Sequence, residues 1–133
     1  MKWTMVKTRI YYQDTDAGGV VYYANYLKFF EKSWFEYLLS LCISLPEWEK
    51  SGTFIMVKTV RLELMEKLLY ADEIELHTAV VSIKNAQFIL HHRIVKNGTV
   101  TAEGETQMVC VDGSGKLKRL PEEFKGRLTA SLS

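Results

Sequence analysis

Residues Ala24–Cys42 read Ala-Asn-Tyr-Leu-Lys-Phe-Phe-Glu-Lys-Ser-Trp-Phe-Glu-Tyr-Leu-Leu-Ser-Leu-Cys. Leu27, Phe30, Trp34, Leu38 and Leu41 recur at spacings of three and four, the period of an α-helix, and Tyr26, Phe29, Phe35 and Leu39 widen the same face. Only Lys28, Lys32, Glu36 and Ser40 form a continuous polar stripe. A helix apolar over most of its circumference is normally enclosed by other elements, so the pattern predicts one long buried helix with something wrapped around it. Pro46 is expected to close this region, because proline cannot continue the hydrogen-bond ladder.

The wrapping comes from the flanks. Segments 54–66, 73–84, 87–96 and 99–111 are rich in Val, Ile, Thr and Phe and read as strands. Lys84-Asn85-Ala86 and Asn97-Gly98 are hairpin-length connections; in the second, both residues tolerate positive φ. Upstream, residues 3–13 interleave β-branched and aromatic residues with Lys7, Arg9 and Gln13, as a half-buried first strand does. Asp112-Gly113-Ser114-Gly115 ends the last strand, and residues 122–130 suit a short terminal helix. One strand, one enclosed helix and four antiparallel strands make an α+β protein whose curved sheet wraps the helix, the hotdog architecture. With no repeat, linker or low-complexity stretch, residues 1–133 are read as a single domain.

Composition narrows the partners. Lys and Arg total 17 against 16 Asp and Glu, a formal charge of +1, so nothing in bulk electrostatics calls for nucleic acid or a membrane surface. Aromatic residues crowd between Tyr22 and Trp48, more apolar bulk than one small subunit easily buries, and a homo-oligomer is expected. Cys42 and Cys110 lie far apart, with neither Cys-x-x-Cys spacing nor clustered His; both are read as core thiols, and no metal site is expected. The N-terminus lacks the basic-then-apolar pattern of a signal peptide, and no apolar run approaches the ~18 residues a membrane helix needs. A cytoplasmic, soluble protein is the expectation.

Chemistry points to the run Tyr12-Gln13-Asp14-Thr15-Asp16-Ala17-Gly18-Gly19-Val20-Val21-Tyr22-Tyr23-Ala24-Asn25-Tyr26. Acidic groups and glycines stand just ahead of the helix. A helix start offers unpaired N–H groups and roughly half a positive charge, which suits an oxyanion forming on a thioester carbonyl. The glycines, Gly19 among them, let a ligand approach the backbone closely.

In this run the sequence resembles the 4-hydroxybenzoyl-CoA thioesterase family of hotdog proteins, above all its short bacterial acyl-CoA thioesterase branch. The match from Asp14 to Tyr26 is nearly position by position, and the order of elements is compatible over almost the whole chain. The resemblance implies that Asp16 is the catalytic carboxylate, acting as nucleophile or as general base, that the Tyr23 N–H polarises the thioester carbonyl, and that Tyr12 and Asn25 shape the pocket or steady its loop. It further implies a site completed by the facing subunit of a dimer, with a dimer of dimers, a homotetramer, as the expected assembly and no cofactor. Lys84 with Asn85, and Lys116, Lys118 and Arg119, are the candidates for the phosphates of coenzyme A. Two positions depart from the family pattern: Tyr23 stands where relatives often carry His, and Ala17 where others carry Pro. A backbone N–H survives the first change, whereas a phenol, with a pKa of ~10, is a poor base at neutral pH.

Plainer readings compete at each position. Asp14 is a turn-former that caps local N–H groups, and Asp16 taken alone would be a helix N-cap. His91 and His92, being adjacent in a strand, face opposite sides of the sheet and do not share a metal; with His77 they are read as structural or exposed. Glu31 and Glu36 are solvent or interface contacts, Glu31 remaining a distant second acid–base candidate. At the level of function, the alternatives to acyl-CoA hydrolysis are a non-catalytic acyl-CoA-binding module and a divalent-metal site at Asp14-Thr15-Asp16. A hotdog hydratase is a further option, but it would pair the acid with a His that this region lacks.

Overall fold

The computed structural model describes residues 2–132. Its elements run β1 (Thr4–Arg9), a 3-10 turn (Tyr12–Asp14), a second 3-10 turn (Tyr23–Asn25), α1 (Tyr26–Ser40), α2 (Leu45–Lys50), β2 (Phe54–Leu64), β3 (Glu73–Ile83), β4 (Gln87–Lys96), β5 (Thr99–Val111) and α3 (Glu122–Ala130). The five strands form one antiparallel sheet in the order β1-β3-β4-β5-β2. Asn97 and Gly98, at φ +50° and +78°, make the tight β4–β5 turn that their residue types require. Register shifts at Val57/Thr59, Val80/Ser82 and Ile94/Val95 bend the strands, and the curved sheet closes over α1. This is the hotdog architecture.

Helix α1 lies against β3, β1 and β4 and turns Tyr26, Phe29, Phe30, Ser33, Tyr37 and Leu38 to the sheet. The core has two apolar parts. One gathers Ile10, Val21, Tyr26, Phe29, Phe30, Leu68, Ile74 and Ile94; the other gathers Tyr37, Leu38, Phe88, Leu90, Met108, Phe124 and Leu128. At the middle turns of α1 runs a string of buried polar side chains. Ser33 hydrogen-bonds Thr78, Thr78 Oγ1 meets His92 Nδ1 at 2.9 Å, and His92 Nε2 meets Thr106 Oγ1 at 2.9 Å. The string ties α1 to β3, β4 and β5 with every ring nitrogen of His92 engaged, as burial demands.

Several expectations are corrected. The first strand stops at Arg9 rather than Gln13, because Tyr12–Asp14 tighten into a 3-10 turn. The helix is not enclosed all round: Leu27 and Leu39 remain 42% and 41% exposed, since the sheet covers one face only. Cys42 is exposed, unlike the buried Cys110. It ends α1 at φ +62°, its N–H donating to Leu39 O and that of Ile43 to Leu38 O, a Schellman closure that satisfies the last carbonyls. Pro46 therefore does not close the helix; it lies in the first turn of α2, where its missing N–H has no partner to lose. Among the described residues no helix is long and apolar enough to cross a membrane.

Candidate active site

The loop between β1 and α1 is fastened at three levels. Asp14 Oδ2 accepts the N–H of Tyr11 at 2.8 Å, closing the 3-10 turn from within. Above it, Asp16 N–H donates to Val20 O at 2.9 Å and Gly19 N–H to Asp16 O at 3.0 Å, while Thr15 pairs with Val21 as an antiparallel bridge. Gly19 sits at φ +82°, a conformation other residues adopt at a cost, so this glycine is what allows the chain to reverse. Finally the backbone O of Asp14 accepts both the Tyr22 N–H (3.1 Å) and the Asn25 side-chain amide (2.9 Å), so the acidic loop is laced to the turn that leads into α1. Asn25 thus steadies the loop directly.

Asp16 itself is exposed, and its Oδ1 accepts the Gly18 N–H at 2.8 Å. A Cβ on Gly18 would come within 3.2 Å of that oxygen. The bond is local to the loop, so the plain reading of Asp16 as a cap of α1 is not met; the helix begins with a 3-10 turn at Tyr23 whose preceding residue gives no side-chain cap. As first residue of that turn, Tyr23 has no intrahelical acceptor for its N–H. The Tyr23 side chain points outward, 62% exposed, with its ring 4.8 Å from that of Tyr22. Its phenol raises the pKa of Tyr22 by hydrogen bonding and by charge. Asp16 lines none of the grooves described in the chain. The groove nearest the helix start, about 200 Å³, is bounded by Val20, Val21, Tyr26 and residues Leu64, Met65, Glu66 and Lys67. That is below the 300–1,000 Å³ of ordinary small-molecule sites.

The cationic candidates lie elsewhere. Val21 N–H donates to Leu68 O and Ile10 N–H to Asp72 O, which places the Asp16 loop beside the first residue of β3. Lys84 follows the last residue of β3, roughly 35 Å away at strand rise. Asn85 O accepts the Leu120 N–H, and Lys118 N–H donates to Cys110 O, so Lys84, Asn85, Lys116, Lys118 and Arg119 do come together, but at the far end of the sheet. Lys118 Nζ is already used by Thr53 Oγ1 (2.8 Å) and Gly52 O (3.3 Å), and Asn85 Oδ1 by Lys125. Within one chain the length of β3 separates these residues from the Asp16 loop.

Sequence reasoning missed two features, one beside the loop and one at the opposite end of α1. Tyr70, in the β2–β3 connection, packs edge-on against Tyr12 with centroids 5.5 Å apart; only the folded loop pairing brings them together. Cys42 lies at the end of α1, where Arg127 donates to the Leu41 carbonyl at 3.4 Å. No group of three or more His, Cys, Asp or Glu able to hold a metal occurs among the described residues.

Comparison with known proteins adds the following. Residues 11–128 match the model of the Thioesterase-like superfamily. The chain is 35% identical over 120 residues to the acyl-CoA thioesterase YbgC of Haemophilus influenzae, with 88% of each chain covered. Among solved structures, a gentisyl-coenzyme A thioesterase superposes with a TM-score of 0.87 at 25% identity, covering 94% of this chain and 99% of that one. A DHNA-CoA thioesterase from Staphylococcus aureus superposes with a TM-score of 0.91 at 22% identity, covering 98% and 93%, and shows the shared fold.

Proposed function

Since the chain belongs to the Thioesterase-like superfamily of hotdog proteins, we propose that it hydrolyses an acyl-CoA thioester to the free acid and CoA, with Asp16 as the acting carboxylate. The observation that carries the reading is the exposed Asp16 carboxylate on a loop tied by Asp14 O to Tyr22 N and Asn25 Nδ2, immediately before the first N–H groups of the helix. Either Asp16 attacks the thioester carbon, giving an acyl-enzyme anhydride that water then opens, or it takes a proton from the attacking water. In both routes the carbon–sulfur bond breaks and the thiolate leaves to be protonated as CoA. The Tyr23 N–H stabilises the oxyanion; one such donor is worth about 10²–10³ in kcat. Gly19 keeps the backbone clear for the substrate.

The groove at Val20, Tyr26 and Leu64 supplies one wall for the acyl group, and a second copy of the chain supplies the other. Supporting this, Leu27 and Leu39 of α1 and Met56, Val57, Val60 and Leu64 of the edge strand β2 stay exposed in the single chain. Across such a dimer, or a dimer of dimers, Lys84, Asn85, Lys116 and Arg119 of one subunit can approach the Asp16 loop of another. A cytoplasmic setting suits its two unpaired thiols.

The test is Asp16→Asn. Thiol release from a panel of acyl-CoAs should fall by about 10³ or more, within the span expected of acid–base catalysis and nucleophile loss, with acyl-CoA binding and the unfolding midpoint retained. A fully active Asn variant removes the reading. Saturable acyl-CoA binding without thiol release by the wild type would favour the non-catalytic binding module instead.

A further inference from the structure

Ser33, Thr78, His92 and Thr106 are polar side chains sealed in the core, and Tyr37 is buried with them. Ser33 hydrogen-bonds Thr78 on β3, whose Oγ1 lies 2.9 Å from His92 Nδ1 on β4, and His92 Nε2 lies 2.9 Å from Thr106 Oγ1 on β5. One turn further along α1, Tyr37 Oη accepts the Val80 N–H at 3.2 Å and pairs with Ser131 Oγ at 2.7 Å. Burying these groups where valine and leucine would fill the space costs desolvation, and the bonds return little net stability. Their arrangement calls for a reason beyond cohesion.

The two anchors share one repeat. Ser33 and Tyr37 stand four residues apart, about 6.0 Å along a helix, and Thr78 and Val80 two apart, about 6.6 Å along a strand, so α1 and β3 run alongside in matched steps. Apolar ridges alone specify such a register weakly, because a slip of one turn, about 5.4 Å, trades one large side chain for another. Hydrogen bonds do not tolerate the slip. It would carry Ser33 from Thr78 toward Val80, which has no hydroxyl, and leave the Thr78 hydroxyl short of a partner. One turn before Ser33, Phe30 adds a steric stop: its ring lies flat on His92 at 4.5 Å, and a Cβ on Gly104 would come within 2.8 Å of it. Fixing a register is the best-attested use of a buried polar group.

We propose that Ser33, Thr78 and His92 are positioning residues, holding α1 at the one axial setting in which its first N–H groups face a thioester beside Asp16. The inference rests on the reading of the chain as an acyl-CoA hydrolase. The Asp16 loop is fastened separately, to the β2–β3 connection, through Val21 N–H to Leu68 O at 2.9 Å and Ile10 N–H to Asp72 O at 2.8 Å. The helix is fastened to the sheet at Ser33, ~10 Å of helix beyond Tyr26. A hydrogen-bonded helix passes an axial shift at Ser33 on to its start, and the Asn25 amide on Asp14 O (2.9 Å) hands the strain to the loop. Displacing a catalytic group by about 1 Å can cost about 10²-fold in rate.

The experiment measures kcat and KM for an acyl-CoA, the unfolding midpoint and the amide NMR spectrum in Thr78→Val, which keeps the shape and loses the hydroxyl, and in Thr78→Ser, which restores it. In Thr78→Val kcat falls about tenfold with KM within about twofold of wild type, and the amide resonances of Tyr23 and Asn25 move. In Thr78→Ser both return toward wild type. Phe124→Leu, in the apolar part of the core under α3, controls for lost stability: it lowers the midpoint and leaves kcat and the Tyr23 and Asn25 resonances in place. A Thr78→Val protein with wild-type kcat overturns the proposal, as does a Phe124→Leu protein that loses kcat equally, or a Thr78→Ser protein as impaired as Thr78→Val. Should Thr78→Val not fold, Ser33→Ala, which keeps the Thr78–His92 bond, is read in the same way, with a loss of about threefold expected. Should the wild type release no thiol from any acyl-CoA, the hydrolase reading fails alone; the Tyr23 and Asn25 resonances then decide the positioning, and their staying in place in Thr78→Val overturns it.

Discussion

His92 lies flat on Phe30, ring centroids 4.5 Å apart and 17° from parallel, so that a titratable ring on β4 is sealed beneath the helix by an aromatic one. Burial first, and the neighbouring His91 second, push its pKa down to about 3 from the ordinary 6.5. Between those two values the unfolded chain takes up a proton that the folded chain refuses. Its contribution to stability is therefore complete above pH ~6.5 and is lost as pH falls toward 3, at ~1.4 kcal/mol per unit within the window. Denaturant titrations at pH 7.5, 5.5 and 4.5 should show a steeper decline for the wild type than for His92→Gln; parallel declines would contradict this.

Gly104 stands in register with His92 on one side and Leu62 on the other. An added Cβ would lie 2.0 Å from the Arg61 carbonyl oxygen and 2.8 Å from Phe30 Cε2. Gly104→Ala must push apart β2 and β5 or displace α1, at a cost of roughly 3 kcal/mol. A thermal scan should read a drop of about 10 °C. A midpoint within a degree or two of wild type would show that the sheet yields more easily than this packing implies.

Gly19 presents a different case, because at φ +82° no atom lies within 4 Å of an added Cβ. Gly19→Ala costs about 1 kcal/mol of backbone strain, and the loop relieves it by moving Asp16. The expected signature is a loss of kcat larger than the loss of stability. Asn tolerates the left-handed region, so Gly19→Asn should recover part of the rate.

Chelation offers a further check. Asp14 and Asp16 each spend a carboxylate oxygen on a loop N–H, at 2.8 Å in both cases, and no suitable group of metal ligands surrounds them. Thioester hydrolysis should persist in millimolar EDTA. Loss of activity restored by a divalent cation would revive the metal reading of Asp14-Thr15-Asp16.

The boundaries of the later strands were legible to within two residues, since Val, Ile and Thr runs separated by Asn97-Gly98 and Lys84-Asn85 admit little else. Helix α1 was legible from its period, but its end was not. Cys42 adopts positive φ there, and nothing in a cysteine announces that conformation. The loop from Tyr12 to Asn25 was legible as a place for chemistry through its acids and glycines, whereas the Asn25 bond to Asp14 O spans eleven residues and follows no local periodicity.

The linear pattern alone determined one long, largely apolar helix, an antiparallel sheet packed on it and an acidic, glycine-bearing turn ahead of the helix, because periodicity and turn chemistry act over a few neighbouring residues. Only the tertiary structure decided that Lys84 and Lys116 stand at the far end of the sheet from Asp16, and that Tyr12 meets Tyr70. Those distances depend on strand order and on which loops lie side by side, and pairings between residues far apart along the chain are set by global packing rather than by local sequence.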